Sequence, residues 1–523
     1  MGAAQLRAAF LAAWLIIPPA APSSNPISAA FLGSGAHSPH LGNLLCSAPL
    51  SVARQRGFPQ GTSRFRLRMQ PKCTVQLAGE PGGVEILQIP EFDAWMRVQV
   101  SSAGLKARPE DPIPAGMMAC RTCSSGILPS LSSAFLFQGI KAPCLAHAII
   151  PQPDGNTRRG VVALEDVAAG DTLVMLPRDS ALCLLDGEPC PSGERWLEPF
   201  WADHPDWYVR LGIKLLLERE KGSSSRFAGY MALLPPQAPD TLDFPVEWSP
   251  TRLADLRYTP LERSVARQQR RWTEMASALE AGGGRFGEAD LRWAFKVCLS
   301  RAFAGSFGGG ALSLVPGIGL LTEIAAAMRN GRDYALLPMI DSCNHRGAPA
   351  PSSIEFSPLT GRLELRAAGG GARGGAESMI SYGPLGNDAL LQRFGFVEAD
   401  CAHDTVAVLA EDMAQALALP PGELHARFAR AGLRSGPDAA VVVARGGEPA
   451  SERDWTALEA AVGPSGAGRA EGGAVLGAVA ARMLERSLAG AAGGGSAEGI
   501  AAQFRAEKQR LLREVVARWD DSA

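Results

Sequence analysis

The chain has 523 residues, 46% of them hydrophobic and 20% charged, the balance of a folded protein with room for two or three domains. Its formal net charge is -2, so no basic footprint makes nucleic acid a partner. Ten cysteines follow no regular framework, which fits free thiols in a reducing compartment better than a disulfide scaffold. The close pair Cys120 and Cys123 has no second Cys or His pair at zinc spacing, so it reads as a loop thiol pair and no metal is expected.

No Asp or Glu stands before Glu80, whereas seven Lys and Arg residues do. The run from Ala8 to Ile17 is apolar but too short to span a bilayer, and Pro18 and Pro19 follow it. Residues 1–79 are therefore read as a targeting leader. A plastid is the expected destination, and the cytoplasm is the alternative. Ala29-Ala30-Phe31 resembles the junction of a bipartite plastid leader, with a one-step transit peptide as the simpler reading. Residues 80–137 are loop-rich and patternless apart from a helix-like piece at Phe92 to Met96, and they read as a poorly ordered or inserted segment. No later apolar run reaches a membrane-spanning length, so stable membrane insertion is not expected.

Regular patterning begins near residue 138. Arg159 to Leu164 reads as a strand entered beside Gly160, and Thr172 to Leu176 as a second strand; the two together suggest a small β-hairpin. Residues 195–300 read as a helical block. It contains Trp207 to Glu220, Leu261 to Glu280 and Ala289 to Phe303. Strands return after a Gly-rich insertion. Ile354 to Pro358 and Leu363 to Ala367 suggest a hairpin, and Met379 to Gly383 a strand running into a turn. Asp388 to Phe394 fits a short helix stopped by Gly395, a residue suited to the left-handed position after a helix. From Leu409 onward the pattern is helical. The last helix, Ala501 to Trp519, carries an apolar stripe of Phe504, Leu511, Leu512 and Val515. Small β units split by helices point to an α+β fold with several small sheets and helical appendages.

Five short motifs stand in order: Arg159-Gly160-Val-Val-Ala, Ser300-Arg301-Ala-Phe, Asp341-Ser-Cys-Asn344-His345, Ile380-Ser-Tyr382-Gly-Pro-Leu-Gly-Asn387 and Phe394-Gly-Phe396-Val-Glu398. Alone, each has an ordinary structural reading: a strand-entry glycine, a buried salt bridge, a turn-forming Asn, a packing Tyr. As an ordered set they resemble the SET domain of the plastid Rubisco large-subunit methyltransferase family. The resemblance implies a SET domain over 138–400, with its helical insertion at about 195–300. It also implies an α-helical substrate-binding domain over 401–523.

The resemblance further implies a protein-lysine N-methyltransferase using S-adenosyl-L-methionine (SAM). It places cofactor contacts at Thr157, Arg158, Arg159, Gly160, Arg301, Asn344, His345 and Tyr382. Substrate contacts are implied at Arg301, Asp341 and Phe394, and Tyr382 is the implied catalytic residue. Thr157 and the two arginines replace the acidic and small residues often found in the family, and Phe394 replaces a Tyr carried by several relatives. The implied partner is a protein substrate, such as the Rubisco large subunit or an aldolase, docking on the C-terminal helices, with Arg505 to Arg518 as a candidate surface. Protein-histidine methylation and a non-catalytic SET-like scaffold are the alternatives.

Overall fold

The computed structural model describes residues 73–75, 84–86, 140, 142, 144–152, 157–191, 193–201, 206–237, 243–305, 333–347, 349–357, 362–436, 438–463, 468–489 and 499–520. Every described residue belongs to one compact unit, Met69–Ala523. The expected leader apart from its short strand Cys73–Val75, Cys120 and Cys123, the segment expected over 80–137 apart from its short strand 84–86, and the Gly-rich insertion after Gly305 lie outside the described residues.

Among the described residues, four small sheets carry the β structure. The first joins β1 (Cys73–Val75), β2 (Val84–Ile86), β3 (Leu145–Pro151) and β4 (Thr157–Ala163), all antiparallel. Strand β5 (Thr172–Pro177) does not pair with β4, so the hairpin expected from sequence does not form. Instead β5 pairs antiparallel with β11 (Arg362–Ala367), which forms the expected hairpin with β10 (Ser352–Ser357). The physical reason is register. The inward residues Val174 and Leu176 of β5 lie opposite Leu365 and Leu363, which puts four apolar side chains into one core. The same sheet continues through β12 (Met379–Ile380) to β9 (Asn344–His345), both in parallel pairings.

A third sheet has β6 (Leu182–Leu184), β8 (Asp333–Leu336) and β7 (Ala302–Gly305). Ala302 and Phe303 belong to β7, although the helical pattern was expected to run through them. The helix ends at Arg301, and the next residues gain ladder bonds to Leu336 and Ala335.

The helical block comprises α1 (Glu198–Trp201), α2 (Trp207–Glu220), α3 (Ala228–Leu233), α4 (Pro250–Ala254), α5 (Thr259–Ala281) and α6 (Glu288–Arg301). Leu211, Leu215 and Leu216 of α2 are buried, as their spacing predicts. They pack with Phe295 and Trp272 in one core shared with β4, β5 and β8. Each such side chain contributes about 1.5–3 kcal/mol of burial free energy.

A second core gathers the C-terminal elements α8 (Ala410–Ala416), α9 (Pro421–Arg430), α10 (Glu452–Val462), α11 (Arg469–Ala489) and α12 (Ile500–Asp520). The purely helical reading of this region requires correction. A hairpin of β13 (Thr405–Leu409) and β14 (Ala440–Ala444) lies inside it, with Val406, Val408, Val441 and Val443 buried. β-Branched residues alternating in and out make that segment a strand. Phe504, Leu511, Leu512 and Val515 of α12 are all buried, as expected. Two charges of the same helix, Arg505 and Lys508, are also buried, so α12 is not charged on an outer face alone. Lys508 is 2% exposed and reaches Asp404 at 2.7 Å and Asp388 at 3.1 Å. Among the described residues, no helix is long and apolar enough to cross a membrane.

Candidate active site

Three segments far apart in sequence meet beside one cleft. Strand β4 and the loop entering β12 are joined by Ala163 N–H to Ala376 O at 2.9 Å and Ser378 N–H to Val161 O at 2.7 Å. Strand β12 holds β9 through the pairs Met379 with Asn344 and Ile380 with His345. The polypeptide around Asn344 is thereby held between the strand of Gly160 and the strand leading to Tyr382.

Gly160 is required here by close approach. A Cβ at this position would stand 2.6 Å from Glu377 Oε1, 2.6 Å from Ile150 Cδ1 and 2.9 Å from Asn344 Nδ2. Asn344 donates from Nδ2 to Arg159 O at 2.8 Å and to Glu377 Oε1 at 2.6 Å. Both neighbours are acceptors, so the amide must turn its NH2 toward them, and the carbonyl Oδ1 is the end left for other contacts. Glu377, whose side chain is 8% exposed, also pairs with Arg158. Arg158 thus points to Glu377, and Thr157 sits at the exposed start of β4 opposite Pro151.

The cleft is lined by Arg159, Gly160, Arg301, Asp341, Asn344, Tyr382 and Phe394 from the set implied by the resemblance. Thr157, Arg158 and His345 are not among the lining residues. The remaining walls come from His147, Leu233, Phe244, Ser300, Ser342 and Phe396. Of these, Ser300, Ser342 and Phe396 belong to the motif series, and His147, Leu233 and Phe244 carry no local signal. His147 lies opposite Val161 on the neighbouring strand, a pairing visible only in the fold.

Arg301 ends α6 and donates from Nη1 to the backbone carbonyl of Asp341 at 2.9 Å, with the carboxylate Oδ1 at 3.7 Å. Tyr230 of α3 donates its hydroxyl hydrogen to Asp341 Oδ2, and Ser342 Oγ lies 3.3 Å from Oδ1. Burial pushes the Asp341 carboxyl above its usual range, against the pull of Arg301. Met339, with φ 73°, turns the chain ahead of Asp341, a left-handed conformation costing about 1–3 kcal/mol that the surrounding contacts must offset. Burial, reinforced by the charges of Arg159 and Arg301, pushes His147 down to about 3, so its ring is neutral near pH 7.

Tyr382 follows β12 and donates its hydroxyl hydrogen to Cys343 O at 2.9 Å. Burial pushes its phenol far upward, which keeps it protonated near neutral pH. Tyr382 is therefore a fixed dipole, with its oxygen lone pairs available on the cleft side. It is not a phenolate base. Its ring lies 4.6 Å from that of Phe394 and 5.0 Å from that of His345. Phe394 and Phe396 have centroids 6.3 Å apart. Phe394 closes helix α7 (Asn387–Phe394), and Gly395 then takes the left-handed φ of 75° that turns the chain back toward Phe396.

The sequence matches no protein-family model and no curated protein. In fold, the chain is similar to solved structures of Rubisco LSMT. One, bound to AdoMet, is 14% identical with a TM-score of 0.48, and the match covers 72% of this chain and 87% of that one. The SET domain of LSMT bound to lysine and AdoHcy matches at 14% identity and a TM-score of 0.47, over 72% of this chain and 86% of that one. Rubisco LSMT bound to sinefungin and monomethyllysine matches at 16% identity and a TM-score of 0.43, over 72% and 87%. With TM-scores below one half this is a likeness only, and the functional reading rests on the cleft's own residues.

Proposed function

We propose that this chain is a SAM-dependent protein-lysine N-methyltransferase of the SET class, acting on a plastid protein such as the Rubisco large subunit or an aldolase. The observation that carries the proposal is the convergence of Gly160, Asn344 and Tyr382 on one cleft whose far wall is Phe394 and Phe396.

The residues present suit the cofactor. Gly160 keeps the backbone beside Asn344 free of a side chain, Asn344 keeps its carbonyl oxygen as an acceptor, and Arg159 and Arg301 supply positive charge that matches a carboxylate. Bound there, SAM supplies an electrophilic methyl group.

The protein's part is orientation and desolvation. A lysine amine has a pKa of about 10.4 in water and must shed its proton before it acts as a nucleophile. A channel walled by Phe394, Phe396, Phe244 and Leu233 disfavours the charged ammonium and lowers that value. The same aromatic faces hold the ammonium or methylammonium by cation–π attraction, about 0.5–2 kcal/mol. SAM held by Gly160, Asn344, Arg159 and Arg301 would supply the methyl to the lysine nitrogen, its carbon–sulfur bond breaking as the new bond formed, and the amine's proton would pass to solvent. Tyr382, protonated and anchored on Cys343 O, keeps oxygen lone pairs that would align a bound methyl group through C–H···O contact. Fixed dipoles of this kind act without reorganisation during reaction. Asp341, its side chain buried against Tyr230 and Arg301, holds the Arg301 guanidinium at the cleft.

The test is transfer of label from methyl-labelled SAM to a protein in plastid extract. A labelled lysine, absent with Tyr382→Phe, supports the proposal. Labelled histidine instead identifies a protein-histidine methyltransferase. Binding of SAM without transfer to any protein identifies a non-catalytic scaffold.

A further inference from the structure

Behind Tyr382, on the side away from the cleft, lies a connected set of polar contacts that the mechanism above does not use. Tyr382 donates its backbone N–H to Nδ1 of His345 at 3.0 Å. Nδ1 is therefore an acceptor, and the neutral ring must carry its hydrogen on Nε2. That nitrogen faces Glu398 Oε2 at 3.7 Å, a charge contact that favours a proton there. The other oxygen of Glu398 accepts the Gly347 N–H at 3.0 Å.

Glu398 is itself held firmly. Its N–H donates to Asn387 Oδ1 at 2.8 Å and its carbonyl accepts from Asn387 Nδ2 at 3.1 Å. Asn387 is fully buried and donates from its backbone and side chain to Asp404, at 2.9 Å each. Asp404 takes Lys508 of the terminal helix at 2.7 Å. The backbone that carries the Glu398 carboxylate is thus fixed from two helices, α7 and α12.

We infer that Glu398 is a positioning residue: it locks His345 as the Nε2–H tautomer, and that tautomer fixes the backbone of Tyr382 at the cleft. The inference rests on the reading that Tyr382 serves methyl transfer. If the proton moved to Nδ1, two donors would meet at the distance now spanned by one hydrogen bond. The backbone of Tyr382 would shift, carrying with it the hydroxyl anchored on Cys343 O. Burial pushes His345 downward while Glu398 and the backbone carbonyl of Ile380 oppose it, so the ring is neutral and its tautomer is set by which of these two acceptors holds its hydrogen.

The experiment uses the full chain labelled with 15N-histidine, with His345 assigned by the loss of its signals in His345→Asn. Long-range 1H–15N spectra read the tautomer. The wild type is expected as Nε2–H. Glu398→Ala is expected to populate Nδ1–H, with kcat lowered about tenfold while KM for SAM changes less than about twofold. Glu398→Gln keeps a single acceptor oxygen; with that oxygen turned to His345 and the Gly347 N–H left to solvent, the wild-type tautomer is expected to be retained, with kcat within about threefold. A merely structural role would lower kcat alike in both variants without moving the tautomer. That result, or Nδ1–H in the wild type, overturns the inference. Should Glu398→Ala fail to fold, the wild-type tautomer and the kcat of Glu398→Gln still decide it. A tautomer that switches in a protein transferring no methyl group sustains the lock and removes the methyl-transfer reading.

Discussion

Asn344 and Gly160 lie against each other so closely that a single methyl at position 160 would stand 2.9 Å from the Asn344 amide nitrogen. This contact brings the strand-entry motif and the Asn-His motif to one place. It also makes a sharp prediction. Gly160→Ala forces Glu377, Ile150 or Asn344 to move, an overpacking cost of about 1–3 kcal/mol. The melting temperature should fall by several degrees, read by calorimetry, and SAM affinity should drop with it. Wild-type values of both would show that the neighbours yield freely.

Tyr382→Phe removes the hydroxyl and its anchor on Cys343 O while keeping the ring against Phe394. Loss of a fixed dipole at a reacting centre costs about 100-fold to 1,000-fold in kcat. Steady-state kinetics should show a loss of about 100-fold, with affinity for S-adenosylhomocysteine, measured calorimetrically, kept within about threefold.

Lys508→Met leaves the buried Asp404 and the half-buried Asp388 without their cation. Removing one partner of a buried ion network costs about 3–5 kcal/mol. Urea denaturation should show a midpoint displaced accordingly, and a loss below about 1 kcal/mol would mean that water already reaches the pair.

His147 contributes a pH dependence of stability. Its folded value, pushed down to about 3 by burial, lies below the unfolded value of about 6.5. The unfolded chain therefore binds this proton more readily. The contribution is complete above about pH 6.5 and is lost as pH falls toward 3. Between about pH 6.5 and 5 the loss amounts to at most about 2 kcal/mol. Urea midpoints should fall over that interval in the wild type and fall less in His147→Phe.

Much of this site was legible before any coordinates. Gly160, Arg301, Asp341, Asn344, Tyr382 and Phe394 stand in local motifs, and the structure brings them to one cleft. Helix α2 and the hairpin of β10 and β11 were equally plain, since their periodicity is local. What escaped was non-local. Strand β5 chooses β11 over β4, and nothing near residue 172 announces a partner so distant in the chain. Glu377 stood unremarked in a Gly-rich turn, yet it receives Asn344 and Arg158 once the strands are threaded. Likewise Lys508 and Arg505 read as surface charges, and only tertiary packing reveals their burial. The strand β14 was hidden because an alternating run as short as Ala440–Ala444 is easily absorbed into flanking helical patterns.

The central claim is that the cleft beside Gly160, Asn344 and Tyr382 receives the methyl donor. Isothermal titration of S-adenosylhomocysteine into the purified chain addresses it most directly, with Asn344→Asp as the comparison. That substitution sets a carboxylate against Glu377 and Arg159 O, where donors are required. The wild type should bind one equivalent in the micromolar range, and the variant at least tenfold more weakly. Failure of the wild type to bind, or equal binding by both proteins, would contradict the account.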